Sequence, residues 1–278
     1  MNNHRTLIAF VLAGSLIALS GPAFAQEHEA PPPPRVKWSF AGPFGKFDQA
    51  QLQRGFKIYK EVCASCHSLD MLSIGSLADP GGPGYSQAQA AAIASEYKIK
   101  DLDDRGSQIE RVGRPADHFP APFANDLAAK AANGGVVPPD MSTLAKARTY
   151  SRGFPWFMLD MFTQYQEHGP DYIAALLKGY KDAAPKGFKM PEGGHYNEYF
   201  PGHVIAMPPP LQPGQVTFDD GAPTTIDQYA NDVSAFLVWA AEPHMVARKR
   251  IGFQVMIFLI VLAGLMYFTK KKVWSAVH

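Results

Sequence analysis

Residues 63–67 read Cys63-Ala64-Ser65-Cys66-His67, and these are the only two cysteines in the chain. C-x-x-C-H is the pattern of c-type haem attachment. Two thiols one helical turn apart can form thioethers to the two vinyl groups of one porphyrin, and the adjacent imidazole then lies beneath the iron. Three other chemistries fit less well. A disulfide between Cys63 and Cys66 closes a tiny loop and adds little. A thioredoxin-type redox pair needs a βαβ setting that the flanking pattern lacks. A zinc site needs four ligands, usually from a second Cys or His pair at short spacing.

Upstream, Asp48 is a candidate N-cap for a helix that places Leu52, Phe56, Tyr59 and Val62 on one face. Gly55 lies inside that helix, at a cost of about 1 kcal/mol against Ala unless something must approach closely. Downstream, Gly, Pro and charged residues crowd 75–90 and 101–124, which predicts long loops. Asn125–Asn133 reads as a short helix stopped by Gly134-Gly135. Pro139-Asp140 opens another running to about Arg148, and Asp171–Tyr180 is amphipathic with a stop near Gly179. Residues 181–222 look mostly irregular. Thr225-Ile226-Asp227-Gln228 has the form of a capping box, ahead of a helix with Tyr229, Val233, Phe236, Leu237 and Ala240 on one face. Strand patterns are scarce. The expected fold is mainly α: a cytochrome c-type haem domain with long loops, plus one C-terminal transmembrane helix.

Both ends of the chain carry membrane signals. Residues 1–25 have the form of a cleaved signal peptide: His4-Arg5, an apolar stretch from Leu7 to Leu19, then Ala23-Phe24-Ala25. A Pro-rich segment, 26–37, includes Pro31–Pro34, a stiff spacer. The haem domain is expected over 38–247. A second apolar run from Ile251 to Phe268 spans roughly 27 Å as a helix, close to a hydrocarbon core about 30 Å thick. Arg248-Lys249-Arg250 and Lys270-Lys271-Lys272 flank it, so 248–272 is read as an anchor and 273–278 as a cytoplasmic tail. These flanks are equally basic and do not orient the helix; the export signal does, placing the haem domain in the periplasm of a bacterial inner membrane.

The net charge of +1 hides an uneven distribution. Residues 26–247 hold 19 Lys and Arg against 25 Asp and Glu, a balance near −6, and the remaining basic residues flank apolar segments. That excludes nucleic acid as the expected partner and is consistent with steering a basic protein. Asp101, Asp103 and Asp104 form the densest acidic group, but Lys98, Lys100 and Arg105 interleave it.

The second axial ligand is less plain from pattern. A thioether opposite the imidazole raises an iron potential, as suits an electron carrier. Met190-Pro191 and Met207-Pro208-Pro209-Pro210 put a methionine in a loop. The proline run stiffens the second and favours Met207, with Met190, His195 and His203 as alternatives. Met141, Met158 and Met161 fit core filling.

Several stretches beyond the attachment motif resemble one family: Arg54-Gly55-Phe56 through His67, Ala131-Ala132-Asn133-Gly134-Gly135 through Pro138-Pro139-Asp140-Met141-Ser142, Lys146-Ala147-Arg148, Tyr199-Phe200-Pro201-Gly202, Ile205-Ala206-Met207-Pro208-Pro209-Pro210 and Trp239-Ala240-Ala241-Glu242-Pro243. They are similar to cytochrome c1, the haem subunit of the ubiquinol:cytochrome c oxidoreductase (the cytochrome bc1 complex), over nearly all of 38–274. The resemblance implies one covalent haem c on Cys63 and Cys66, His67 and Met207 as axial ligands, and Arg148 beside a haem propionate. It implies an electron-transfer subunit without bond-making chemistry of its own, in a dimeric complex with a cytochrome b subunit. Its donor would be the Rieske iron–sulfur protein and its acceptor a c-type cytochrome. Some bacterial members brace the distal loop with an extra cysteine pair, which this chain lacks. Two alternatives are a cytochrome subunit of a periplasmic dehydrogenase and a haem sensor with an open sixth position.

Overall fold

A computed structural model describes residues 30–150, 153–163 and 167–275. The expected signal peptide, 1–25, lies outside the described residues, as do the last three residues of the expected tail. Among the described residues eight α-helices dominate, with two small antiparallel ribbons.

The first helix, α1 (Gln49–Glu61), begins at Asp48, whose carboxylate accepts the Gln51 N–H at 2.9 Å. It buries Leu52, Phe56, Ile58 and Tyr59 against α7 (Ile226–Ala241). Gly55 stands where the two helices touch: a Cβ there would lie 2.2 Å from the Asp232 carbonyl oxygen. That near-contact is the close approach that a glycine inside a helix calls for. Phe56, Tyr59, Phe119, Phe236 and Trp239 form the aromatic centre of the core.

A buried ion pair crosses the same junction. Arg54 Nε donates to Asp232 at 2.7 Å, the guanidinium also reaches Asp220 at 2.5 Å, and the Gln228 amide completes the shell of Asp232. Thr225 caps α7 by accepting the Gln228 N–H at 3.3 Å. Half of the expected capping box therefore forms, because the Gln228 side chain turns to Asp232.

The stretch 75–90 was expected to be loop, and part of it is helical. Ser86 and Gln89 form a full capping box for α2 (Gln87–Ser95). Within 98–112 the chain forms a ribbon instead of loop. Strands β1 (Lys98–Leu102) and β2 (Gln108–Val112) pair from Lys98↔Val112 to Leu102↔Gln108. Asp103 closes the turn by accepting the Arg105 and Ser107 N–H groups. The acidic group around Asp101–Asp104 is thus a turn, and Arg111 ties Asp101 to Asp117.

Three short helices follow: α3 (Asp126–Ala132), α4 (Leu144–Ala147) and α5 (Trp156–Thr163). The fourth is shorter than the 139–148 span expected, because residues 139–142 bond back to residues 67–71. Met158, expected as core filling, is exposed on α5, whereas Met141 is buried; the Met161 side chain lies outside what is described. Next, α6 (His168–Lys178) packs on α7 and ends at Gly179. Its buried Asp171 accepts from Val36 N at 3.0 Å and Trp38 Nε1 at 2.8 Å, fastening the segment after the proline run to the core.

Between 181 and 222 the chain is irregular apart from a short ribbon of β3 (His195–Tyr196) and β4 (Val204–Ile205) and a 3₁₀ turn between them. Finally α8 (Met245–Trp274) leaves the domain just past Pro243. It is long and apolar enough to cross a membrane, with its side chains from Ile251 to Phe268 exposed apart from Gly264.

Candidate functional site

The segment after α1 tightens into a 3₁₀ turn at Cys63–Ser65, closed by Cys66 N to Cys63 O at 3.1 Å and His67 N to the same oxygen at 2.9 Å. This turn sets Cys63, Cys66 and His67 within one compact loop. Both cysteines are half-buried, and burial, with the neighbouring Cys66, pushes the Cys63 thiol up to about 12.

His67 is buried, and its Nδ1 lies 2.8 Å from the Pro139 carbonyl oxygen. A carbonyl can only accept, so Nδ1 carries the proton and Nε2 presents the free lone pair. Burial lowers the imidazole's pKa and outweighs the opposing pull of the Pro139 bond and of Asp140, which keeps the ring neutral.

Pro139 is held by its successors. The Asp140 carboxylate accepts from Ser68 Oγ at 2.8 Å, Asp70 N at 2.9 Å and Ser142 N at 2.8 Å. Met141 N donates to Ser68 O at 2.9 Å, and Met71 N to Ser142 Oγ at 3.0 Å. Residues 67–71 and 139–142 are thus laced together along their length. Burial alone would raise the Asp140 carboxyl, but the N–H of Asp70, the hydroxyl and N–H of Ser142 and the hydroxyl of Ser68 hold it below its ordinary value. Leu127, Val136 and Val137 are exposed apolar side chains in the stretch that precedes Pro139.

From Ser142 the chain runs into α4, which packs on α6 and α7. Arg148 ends α4, exposed, in extended backbone, with its charge felt by the buried Tyr172 ring on α6. Just beyond α6, Tyr180 donates its hydroxyl to the Met207 carbonyl at 3.0 Å. Burial pushes that hydroxyl's pKa up, so it remains a donor. Met207 is half-buried in the loop after β4.

Asn197 fastens the turn that precedes β4 to α6. It is fully buried, with its Nδ2 on Leu176 O at 2.8 Å and its Oδ1 accepting from Tyr199 and Phe200 N–H. Of the alternatives to Met207, His195 pairs with Ile205 in β3, the buried His203 ring stacks on Tyr196 from the 3₁₀ turn between β3 and β4, and Met190 is half-buried in the irregular chain before β3.

The donor set fits a covalently held haem. It offers two adjacent thiols, a neutral imidazole with Nε2 free, and a thioether on a stiffened loop. Pattern reading missed the parts that act at a distance: the Pro139 carbonyl, the Asp140 lacing and the Tyr180 strut. Only the conspicuous Pro138-Pro139-Asp140 run could have drawn attention to the first two.

Comparison with known proteins gives a consistent result. The Cytochrome C1 family matches residues 38–277. The chain is 61% identical over 272 residues to the "Cytochrome b/c1" of Bradyrhizobium diazoefficiens, covering 98% of this chain and 40% of that longer protein. It is 46% identical over 275 residues to the cytochrome c1 of Blastochloris viridis, covering 98% of this chain and 96% of the relative. With the cytochrome c1 of Rhodospirillum rubrum it shares 40% identity over 285 residues, covering 97% of each.

Proposed function

The chain belongs to the cytochrome c1 family, and on that premise we propose that it carries single electrons within a cytochrome bc1 complex, from the Rieske iron–sulfur protein to a c-type cytochrome. It makes and breaks no substrate bonds of its own. When bound, a haem supplies a one-electron couple at the iron. Cys63 and Cys66 would hold it by thioethers, His67 Nε2 and Met207 Sδ would be its iron ligands, and Arg148 would offer a guanidinium to a propionate.

The observation that carries this reading is the His67 Nδ1 bond to the Pro139 carbonyl. It fixes the tautomer and ring plane, makes the imidazole a stronger donor, and turns Nε2 outward from the lacing. The residues around it keep the ring neutral and exclude water from one side. Pro208, Pro209 and Pro210 restrict the loop that presents Met207.

The export signal and α8 support the rest of the placement. Residues 1–25 direct export and are removed, 26–37 form a spacer, and 38–247 stand in the periplasm of a bacterial inner membrane. Residues 248–272 anchor the domain and 273–278 return to the cytoplasm. A cytochrome b subunit is the partner in the membrane, in a complex that is itself a dimer. The length of the family match favours this reading over a dehydrogenase subunit or a haem sensor.

Two measurements test it. The ferric protein should show the weak far-red absorption of a methionine–iron bond, and Met207→Leu should abolish it; a wild type without that band removes the carrier reading. Solubilised from membranes, the protein should co-purify with a b-type haem subunit and a Rieske protein. Recovery with a dehydrogenase instead rejects the assignment to a bc1 complex.

A further inference from the structure

Where α8 leaves the domain, a small loop at 41–46 reaches the level of the apolar span. Its sequence is Ala41-Gly42-Pro43-Phe44-Gly45-Lys46. The loop is tightly built: Ala41 N bonds Trp38 O at 3.2 Å and Lys46 N bonds Ser39 O at 3.1 Å. Gly42 has φ +71°, and a Cβ on Gly45 would lie 2.1 Å from the Ala41 carbonyl oxygen, so the turn needs both glycines. Phe40 and Phe47, on either side, are buried and in contact with one another, and Trp38 stacks on Phe40. Phe44 points the other way and is 70% exposed.

The loop is also fixed to α8. Lys249 Nζ donates to Phe40 O at 2.6 Å and Gly42 O at 2.7 Å. The Phe44 ring meets Phe253 edge-on, with centroids 5.3 Å apart. Phe253 is the third residue of the apolar run that starts at Ile251, about 3 Å of helix rise beyond its start. A large, rigidly presented aromatic side chain therefore lies at the depth where the span enters its apolar surroundings. Lys46, two residues on, is exposed. Segments that lie at a membrane–water boundary bury Trp, Phe or Leu at the headgroup–acyl level and turn Lys or Arg toward the headgroups.

We propose that Phe44 is a lipid-contacting wedge: the 41–46 loop rests on the outer leaflet, with the Phe44 ring among the headgroup–acyl boundary and Lys46 toward lipid phosphates. The haem domain then meets the bilayer at two points, α8 and this loop, and two points restrict its tilt where a single helix leaves it free. The proposal rests on α8 being the membrane anchor proposed above. The occupant is lipid because the ring is continuous with a side chain of the membrane span itself.

Photo-crosslinking in the intact complex in its native membrane tests this. The analogue p-benzoylphenylalanine is placed at 44 in one strain and at 253 in another, and adducts are identified by mass. Phospholipid adducts at 44 in a yield comparable with those at 253 are expected. Adducts at 44 to another polypeptide, or no adduct because the side chain faces water, overturn the proposal. Failure to obtain lipid or protein adducts at 253 instead counts against the anchor assignment, so the two failures are separable. Because Phe44 is exposed and outside the core, the substitution leaves folding and haem attachment intact, which the visible spectrum checks.

Discussion

Gly55 sets two known quantities against each other. Replacing it by Ala should favour the helix by about 1 kcal/mol on propensity alone. The added Cβ, however, would sit 2.2 Å from the Asp232 oxygen and 2.6 Å from Phe236 Cβ, and overpacking of this kind costs about 1–3 kcal/mol. The clash should win, because the atoms met are backbone and the Cβ of a buried ring rather than a flexible tip. Gly55→Ala is expected to lower the thermal midpoint of the full chain in detergent; a raised midpoint would mean that α1 and α7 can part without loss. Sequence shows the glycine but not its partner, which lies 177 residues away.

Asp117 gives a pH prediction at the same scale. The Arg111 guanidinium beside it, helped by the Arg114 N–H, holds its carboxyl down at about 2. A depressed folded value means that its stabilising effect is fully present above the ordinary carboxylate range near 3.8 and is lost as pH falls toward 2. Because the pair is largely solvent-screened, the effect is local and small. Amide protection in β1 and β2, corrected for intrinsic exchange, should fall across that window, and Arg111→Ala should remove this pH dependence.

At the scale of elements, the distal loop is the informative one. Pro208, Pro209 and Pro210 have no N–H, so the backbone around Met207 leans on what its carbonyl can find, and it finds Tyr180. This bond, with the buried Asn197 bracing Leu176, Tyr199 and Phe200, holds the segment around Met207 by hydrogen bonds. With Met207 on the iron as proposed, Tyr180→Phe removes one neutral hydrogen bond, worth about 1 kcal/mol or roughly a fivefold change in equilibrium. Expected are a weaker far-red band and measurable carbon monoxide binding by the ferrous protein. A variant that only melts earlier, with band and ligand exclusion unchanged, would show that Tyr180 supports the fold and not the ligand.

Elements also mark where pattern reading succeeded. Asp48 and Thr225 act within one turn of themselves, and both accept the N–H their sequences suggest, although the Gln228 half of the expected box does not form. The α2 helix was hidden behind the Gly- and Pro-rich run that precedes it, although Ser86 and Gln89 spell its capping box. The β1–β2 ribbon was hidden for another reason. Its strands carry charged residues on both faces, so no alternation of apolar and polar residues marks them.

For the whole molecule, the joint between the haem domain and α8 decides how an electron carrier faces its partners. Glu242 is bonded by Lys146 on α4 at 2.5 Å and by Arg248 on α8. Burial would raise its carboxyl, but these two donors outweigh burial and keep it below the ordinary range, hence ionised at neutral pH. Glu242→Gln should loosen this tie between domain and anchor. In oriented membrane multilayers, the angular spread of the haem signals in electron paramagnetic resonance should widen; an unchanged spread would place the rigidity of the joint elsewhere, at Lys249 and the 41–46 loop.

The sequence by itself determined the C-x-x-C-H motif, the helical class and the apolar C-terminal span. These depend on residues within a turn or two of one another: Cys63 to His67, the apolar faces of α1 and α7, the run from Ile251 to Phe268. What only the tertiary structure decided are the partners that the chain brings together from a distance. The Pro139 carbonyl that sets the His67 tautomer is 72 residues from it, and Lys249 reaches Phe40 across 209 residues. Hydrogen bonds are short and directional, so which donor meets which acceptor follows from how the helices pack, and packing is a property of the whole chain.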